Sequence, residues 1–112
     1  MLITRLKEES WALTNLEKLS NLLGLAQRAG TLISGEDLVI KAIQKHQTRL
    51  VFLAHDAAPN LTKKVTDKCQ YYDIEVSTVF SALELSVAIG RSRKVLAVTD
   101  AGFAKKMRTL MN

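Results

Sequence analysis

Cysteine, proline and long apolar runs are scarce in this chain of 112 residues. The single cysteine, Cys69, excludes an intramolecular disulfide framework and a zinc site built from several cysteines. So little cysteine is typical of a reducing compartment, and we expect a cytoplasmic protein. The charged residues Arg5, Lys7, Glu8 and Glu9 precede any apolar run. We therefore expect no signal peptide. Because charges interrupt the chain throughout, we also expect no membrane span and no membrane partner.

Aromatic residues and recognisable catalytic sets are equally sparse. Three phenylalanines, two tyrosines and one tryptophan follow no platform spacing, so we do not expect base stacking on an open sheet. His46 and His55 have no serine or cysteine beside them in sequence to form an activated nucleophile. Cys69 falls on an apolar helical stripe, where core packing is its expected role. The sequence therefore predicts no catalytic residues, no metal ligands and no cofactor.

A surplus of positive charge is the main compositional signal. Sixteen lysines and arginines against eleven acids give a net charge of +5 and a pI near 9.6. Such a surplus suits a polyanionic partner, although it also serves solubility alone. Many of the basic residues fall into three groups along the chain. The first group is Lys41 and Lys45, the second is Lys63, Lys64 and Lys68, and the third is Arg91, Arg93 and Lys94. They predict either three solvated faces or a rim that faces phosphates.

Apolar periodicity predicts helices that alternate with short strands. The predicted helices run from Leu16 to a stop at Gly30, from Gly35 through His46, onward from Pro59, over 81–90, and over a last segment containing 103–111. The predicted strands are 31–34, 49–54, 75–80 and 94–99. The inner stripe of the second helix is predicted to contain Leu38, Ala42 and Ile43. This alternation predicts one α/β domain, an α/β/α sandwich around a small sheet, over residues 15–112.

Residues 1–14 differ from the rest of the chain. They are charge-mixed and weakly periodic, and they contain the tryptophan, Trp11. We expect an N-terminal extension, either an added helix or a frayed arm, and a later start of translation is a further alternative.

The segment GTLISGED, residues 30–37, carries the two glycines of a Gly-x-x-x-x-Gly phosphate loop. Such a loop continues with lysine and then serine or threonine, whereas Glu36 and Asp37 follow Gly35 here. Ser34 and Asp37 instead fit a helix N-terminal cap, and Asp37 with Lys41 is a favourable helical pair. Alternatively, Gly35 admits a second backbone, Asp37 accepts from a base amino group, and Lys41 meets a phosphate.

Three acids stand near predicted strand ends, namely Asp56, Asp73 and Asp100. Acids in such places occur in many α/β ligand sites. Because no histidine, lysine or metal-ligand pattern accompanies them, we expect them to cap loops.

Two long motifs together resemble a known family. SGEDLVIKAIQKHQTRLVFLAHDAAP and SALELSVAIG resemble the kink-turn-binding ribosomal proteins, the L7Ae and L30e group, over about residues 18–111. NLLGLAQRAG and GFAKK are most similar to the small bacterial YlxQ-type branch of that family. The resemblance implies a three-layer α/β/α sandwich with a small four-stranded mixed sheet. It also implies a non-enzymatic protein that binds RNA at a sharply bent internal loop with tandem sheared G·A pairs.

The resemblance also implies which residues contact RNA. The family motif Gly-x-Asn-Glu-x-x-Lys falls at the start of the second helix, where Gly35 and Lys41 match it. Asp37 replaces the asparagine, and its ionised side chain can accept a hydrogen bond but cannot donate one. Leu38 replaces the glutamate, and its side chain can neither donate nor accept a hydrogen bond.

Two further family contact regions are loops. One follows the strand RLVFLA and contains Asp56, Ala57, Ala58 and Pro59. The other is the loop RSRK after Gly90, which is basic and about two residues shorter where the family loop is apolar. Phosphate attraction is expected to replace a shape contact there.

The complete set of expected RNA contacts is Gly35, Glu36, Asp37, Lys41, Lys45, Asp56, Ala57, Ala58, Arg91, Ser92, Arg93 and Lys94. The expected partner is structured RNA, either ribosomal RNA, including that of the intact ribosome, or another kink-turn-like RNA. A protein-interaction adaptor that kept the fold and lost specific RNA recognition is the alternative. Asp37 and Leu38 favour the adaptor, and the positive rim opposes it.

Overall fold

The computed structural model describes residues 14–111, in which five helices and four strands follow one another in the predicted order. The helices are α1 (Asn15–Arg28), α2 (Glu36–Gln44), α3 (Pro59–Tyr71), α4 (Ala82–Ile89) and α5 (Ala101–Met111). The strands are β1 (Leu32–Ser34), β2 (Leu50–Leu53), β3 (Glu75–Ser77) and β4 (Val95–Val98). The strand predicted over 75–80 thus ends at Ser77. The expected extension, apart from Thr14, lies outside the described residues.

The four strands form one mixed sheet in the order β1-β4-β2-β3. β4 is antiparallel to both β1 and β2, whereas β2 and β3 are parallel. Ser34 at the end of β1 pairs with Leu96, and Leu53 at the end of β2 pairs with Val95. As a result, β1, β2 and β3 all end at the edge of the sheet where β4 begins.

Both faces of the sheet are covered, which explains the unbroken apolar run of β2. Leu50 and Phe52 pack into a core with α1, α4 and α5. Val51 and Leu53 point the other way, into a second core with α2 and α3. Because successive side chains of a strand alternate between faces, each core receives two residues of β2. The predicted three-layer α/β/α sandwich with a four-stranded mixed sheet is confirmed.

The predicted inner face of α2 is wrong at one position. Val39, Ile40 and Ile43 are buried, whereas Leu38 is 59% exposed. A helix turns by about 100° per residue, so a buried arc centred on Val39 and Ile43 places Leu38 beyond its border. The helix also ends earlier than predicted, because His46 has a left-handed backbone with φ of 56°.

Three helices begin with side-chain caps. Thr14 and Glu17 form a reciprocal capping box at α1, and Ser81 and Glu84 form another at α4. The carboxylate of Asp100 accepts from two backbone N–H groups in the first turn of α5, at 3.4 Å each. Such caps satisfy donors that have no carbonyl partner inside their helix.

The hydrogen bonds of one cap also shift a titration. The backbone N–H and the side chain of Ser81 hold the pKa of Glu84 below its usual value.

Between residues 14 and 111 no helix has both the length and the apolar character needed to cross a membrane.

Candidate nucleic-acid interface

Three segments predicted to contact RNA meet at the edge of the sheet where β1 and β2 end and β4 begins. The backbone N–H of Gly35 donates to the carbonyl oxygen of Val95 over 3.2 Å. The N–H of Ala54 donates to the carbonyl of Lys94 over 2.9 Å. We define the loop edge as residues 34–38, 54–58 and 90–94. Antiparallel pairing of β4 with both neighbours is what brings these distant segments together.

Gly35 opens α2 with a backbone that favours glycine. Its φ of 98° and ψ of 149° lie in a region that other residues rarely adopt. A Cβ atom built there would have no heavy atom within 4 Å, so the space beside it is open. Gly35 therefore keeps the entrance of α2 accessible to another backbone.

The predicted cap by Ser34 is wrong. Gly35 is the N-cap residue, and no side chain of the described range caps it. Ser34 is still part of β1, paired with Leu96, and its hydroxyl oxygen accepts from Nε of Arg93 over 3.1 Å. Ser34 therefore lies one residue too early to cap α2. Its hydrogen bond with Arg93 instead helps to fix the position of the basic loop.

The two helices that begin at the loop edge lack side-chain caps. Within residues 14–111, neither Gly35 at α2 nor Ala58 at α3 provides one, in contrast to the residues that directly precede the other three helices. Pro59 opens α3, as predicted, and Ala58 before it is extended. The open N–H groups of two helix starts carry partial positive charge and are suited to anions such as phosphate.

The starts of α2 and α3 are also joined to each other. Nζ of Lys64 lies 3.3 Å from Oε2 of Glu36, in a partly exposed ion pair. Surface pairs of this kind are worth about 0–1 kcal/mol, so the pair orients the two helix starts more than it stabilises them.

Several hydrogen bonds fix the basic loop 90–94. Gly90 ends α4 in the left-handed conformation. The backbone N–H of Arg93 donates to Oγ of Ser86 over 3.0 Å, and its Nη1 donates to the carbonyl of Ser92 over 2.7 Å. Arg93 is therefore partly committed to holding the loop. Arg91, Ser92 and Lys94 are exposed at the same edge.

Hydrogen bonds hold the loop 54–58 against the start of α4 and the residues just before it. Oδ1 of Asp56 accepts from the backbone N–H of Ala82 over 2.9 Å, and the N–H of His55 donates to the carbonyl of Phe80 over 3.0 Å. Asp56 therefore acts as a cap, as expected of the loop acids, and Asp100 does so at α5. The third acid, Asp73, instead follows α3 with a positive φ of 58°.

The charged residues of α2 do not all gather at the loop edge. Asp37 and Lys41 are exposed, and the expected ion pair between them is absent among the described residues. Lys45 is the C-cap residue of α2, about 15 Å along the helix from Gly35 at 1.5 Å per residue. Lys45 therefore does not belong to the loop edge, whereas Asp37 lies in it and Lys41 lies one turn beyond.

The sequence did not predict that α4 places two exposed apolar side chains beside the basic loop. Leu83 and Val87 are 73% and 74% exposed, one turn apart and next to the basic loop. The apolar character of the whole segment ALELSVAI hides this pair, since the buried face needs only Leu85 and Ile89. Their four-residue spacing was the available signal.

Cys69 is buried in the core, as predicted. Burial raises the pKa of its thiol to about 11, which disfavours the nucleophilic thiolate at neutral pH. Across residues 14–111, no group of three or more histidines, cysteines or acids is placed to hold a metal ion.

The sequence that folds into this α/β/α sandwich matches one protein family. The model of the ribosomal protein L7Ae/L30e/S12e/Gadd45 family matches residues 17–108, and the chain belongs to that family. It is 51% identical over 92 residues to the RNA-binding protein YlxQ of Bacillus subtilis (strain 168), covering 81% of this chain and 92% of the relative. It is 46% identical over 97 residues to the RNA-binding protein YlxQ of Enterococcus faecium, covering 87% and 94%.

Solved structures agree with this assignment. A protein of unknown function from Bacillus halodurans C superposes with a TM-score of 0.80 at 45% identity, covering 84% of this chain and 96% of that one. A 15.5kD RNA binding protein of Giardia lamblia superposes with a TM-score of 0.70 at 18% identity, covering 88% and 92%. The second likeness is one of fold alone. The resemblance to the family and to its YlxQ-type branch is thus confirmed.

Proposed function

We propose that the chain is a non-enzymatic, cytoplasmic RNA-binding protein that recognises structured, kink-turn-like RNA through the loop edge. The observation that carries the proposal is the meeting of Gly35, Asp56 and the basic loop 90–94 at one edge of the sheet. Relatives named as RNA-binding proteins support it, and so does the net charge of +5. The RNA-binding unit is residues 15–112, with 1–14 as an extension.

Each part of the loop edge has a role in this proposal. Gly35 lets the RNA backbone approach the open amides of α2, and Asp37 accepts a hydrogen bond from a base amino group. Lys41 and Arg91 supply charge to phosphates. Arg93 adds charge while it fastens the loop, and its bond to Ser34 fixes where that charge lies.

The remaining residues of the loop edge shape the surface. Asp56 anchors the loop that carries Ala57 and Ala58, because its carboxylate is already bonded to the start of α4. Ser92 and Lys94 extend the polar surface, and Glu36 positions Lys64. Ribosomal RNA, including that of the intact ribosome, is one source of such a ligand.

A titration against two RNAs tests the proposal. A kink-turn RNA and a straight duplex of the same composition are compared, and we expect tighter binding of the kink-turn. Lys41→Ala and Arg91→Ala should each weaken binding and lower the slope of log affinity against log salt by about 1. Lys63→Ala is the matched control, because Lys63 pairs with Asp67 on the outer face of α3 and lies outside the loop edge. Equal affinity for both RNAs would overturn specific recognition.

The exposed side chain of Leu38 favours a second candidate, the protein-interaction adaptor. Leu38 stands at the loop edge where the family carries a glutamate, and an exposed leucine suits a protein surface better than a base edge. Capture of partners from lysate with and without ribonuclease separates the candidates. Partners that survive ribonuclease and are lost with Leu38→Ala support the adaptor, and partners lost with the RNA support the primary proposal.

A further inference from the structure

The edge of the sheet opposite the loop edge gathers aromatic rings that are scattered in sequence. The ring centroids of Tyr71 and Tyr72 are 4.8 Å apart at an interplanar angle of 77°. The rings of His46 and Tyr72 are 5.4 Å apart at 78°. We term residues 46–49, 71–74 and 98–101 the aromatic edge. It forms because α2 and α3 both end there, where β2 and β3 begin.

The arrangement leaves aromatic surface open to solvent. Tyr72 is half buried against the core of α2 and α3, and it supports its two neighbours. Tyr71 is 81% exposed, so its ring contributes little to the core. His46 is also exposed, and it is held there by a left-handed backbone. Ring faces fixed in this way are suited to stacking on flat ligands.

Two clefts flank the rings. One, of about 440 Å³, includes His46, Arg49 and Lys105 in its wall. The other, of about 280 Å³, shares His46, Thr48 and Arg49 and adds Tyr72 and Asp73. The first cleft places polar groups next to the His46 ring, and the second places them next to the rings of His46 and Tyr72. Polar groups and aromatic rings are the two features that bind unpaired nucleotides.

The charges in and beside the aromatic edge favour phosphate over a cationic ligand. Arg49, Lys105 and Lys45 have no ion-pair partner among the described residues. Of the nearby acids, Asp100 is bonded to the start of α5 and Glu75 is paired with Arg108 at 2.8 Å. Asp73 is the remaining acid of the clefts. The uncommitted charge is therefore mainly positive.

We propose that the aromatic edge binds unpaired nucleotides of RNA, as a second contact on the side of the sheet opposite the loop edge. Bases stack on Tyr71 and His46, and phosphates lie near Arg49 and Lys105. Duplex RNA does not fit this surface, because the faces of its bases are stacked on one another. The inference rests on the proposed RNA-binding function, which supplies the ligand.

A titration followed by amide NMR shifts tests the inference. The ¹⁵N-labelled full chain is titrated with a short single-stranded RNA and, separately, with a blunt duplex of the same sequence. We expect the single strand to shift the amides of residues 46–49 and 71–74, and the duplex to leave them in place. Absence of shifts there with the single strand would overturn the inference, and shifts confined to 35–38 and 90–94 would do the same while leaving the proposed function intact.

Matched variants assign the stacking to one ring. Tyr71→Ala should weaken single-strand binding about tenfold, since stacking on one aromatic side chain is typically worth that factor or more. Tyr71→Phe keeps the ring and should bind as the wild type does. Arg91→Ala at the loop edge should leave single-strand shifts at 71–74 unchanged. Equal losses in Tyr71→Ala and Tyr71→Phe would show that no ring stacks on a base.

The same variants separate this inference from the proposed function. Tyr71→Ala should bind a blunt-ended kink-turn RNA as tightly as the wild type, because the loop edge is untouched. If kink-turn RNA fails to bind while single strands still shift 46–49 and 71–74, the proposed function fails and the aromatic edge stands. If a protein partner rather than single-stranded RNA shifts these amides, the inference is overturned.

Discussion

Nε of Arg93 donates a hydrogen bond to Oγ of Ser34 over 3.1 Å, joining residues that are 59 positions apart in sequence. The bond ties the end of β1 to the start of β4, directly beside the first turn of α2. It therefore fixes the basic loop against the helix start that is proposed to meet RNA. Arg93 supplies positive charge and also fixes the loop through this hydrogen bond, and the two roles can be separated by mutation.

Arg93→Ala and Ser34→Ala should both destabilise the protein, and they should differ in their effects on RNA binding. Each removes the hydrogen bond between the two side chains, worth about 1 kcal/mol of unfolding free energy, and Arg93→Ala also removes the bond from Nη1 to the carbonyl of Ser92. Only Arg93→Ala also removes a charge, so only that variant should lower the salt dependence of RNA binding, by a slope of about 1. Urea denaturation and RNA titrations at several salt concentrations provide the measurements. Identical salt slopes in both variants would show that Arg93 meets no phosphate.

Gly35→Ala should destabilise the protein and weaken RNA binding together. Its backbone conformation is one that alanine adopts only at a cost of about 1–3 kcal/mol, although the space beside it is open. Gly30→Ala is the matched control, because Gly30 also has a positive φ, 73°, but lies at the other edge of the sheet. We expect Gly30→Ala to cost about 1–2 kcal/mol and to leave RNA affinity unchanged in the folded protein. Loss of RNA affinity in both variants would point to a general effect of destabilisation.

Leu38→Ala should leave stability nearly unchanged. Leu38 is exposed, and surface substitutions usually change the unfolding free energy by less than about 0.5 kcal/mol. Ile43→Ala, on the buried face of the same helix, should cost about 2–5 kcal/mol. Chemical denaturation of both variants provides the comparison. Similar losses of unfolding free energy in the two variants would show that Leu38 is buried, as the sequence pattern predicted.

Asp37→Asn combined with Leu38→Glu should increase the preference for kink-turn RNA. The double variant restores the family motif at the start of α2, and with it one donor and one acceptor for base edges. A well-formed base contact is worth about 1–3 kcal/mol, so we expect a gain of about tenfold over the straight duplex. Competition binding between the two RNAs measures it. An unchanged ratio would mean that the loop edge does not read bases through these two positions.

The Cys69 thiol should react with alkylating reagents only when the protein opens. Its pKa of about 11 leaves almost no thiolate at neutral pH, and its side chain is buried. We expect slow labelling by iodoacetamide in buffer and fast labelling in denaturant, followed by mass spectrometry. Fast labelling of the native protein would contradict the burial of α3 against the sheet.

The raised pKa of Cys69 also predicts a pH dependence of stability. The folded state keeps the proton more tightly than the unfolded state, so the thiol contributes fully below the unfolded pKa of about 9. Its contribution is lost as the pH rises from about 9 towards 11. The stability difference between the wild type and Cys69→Ala should therefore shrink over that range. A constant difference would show that the thiol does not titrate between the two states.

Much of the fold could be predicted because it depends on local patterns. The run LVFL predicts a strand covered on both faces, and Gly90 and Pro59 mark the end of α4 and the beginning of α3. The same reasoning wrongly predicted that Leu38 is buried, since an apolar residue on the border of a helical stripe looks the same in sequence whether it is buried or exposed. It also wrongly predicted that Ser34 caps α2, because the strand-to-helix boundary falls one residue later than the capping pattern suggested.

The candidate site divides in the same way. The sequence by itself determined the basic groups, the glycine at the entrance of α2 and the membership of a family, because these are fixed by residue type and spacing. Only the tertiary structure decided that Arg93 reaches Ser34, that Asp56 caps α4, and that Lys45 lies away from the loop edge. It also decided that His46, Tyr71 and Tyr72 form a cluster. The physical reason is that antiparallel and parallel pairing in the sheet sets which loops share an edge, and pairing between distant strands leaves no local pattern in the sequence.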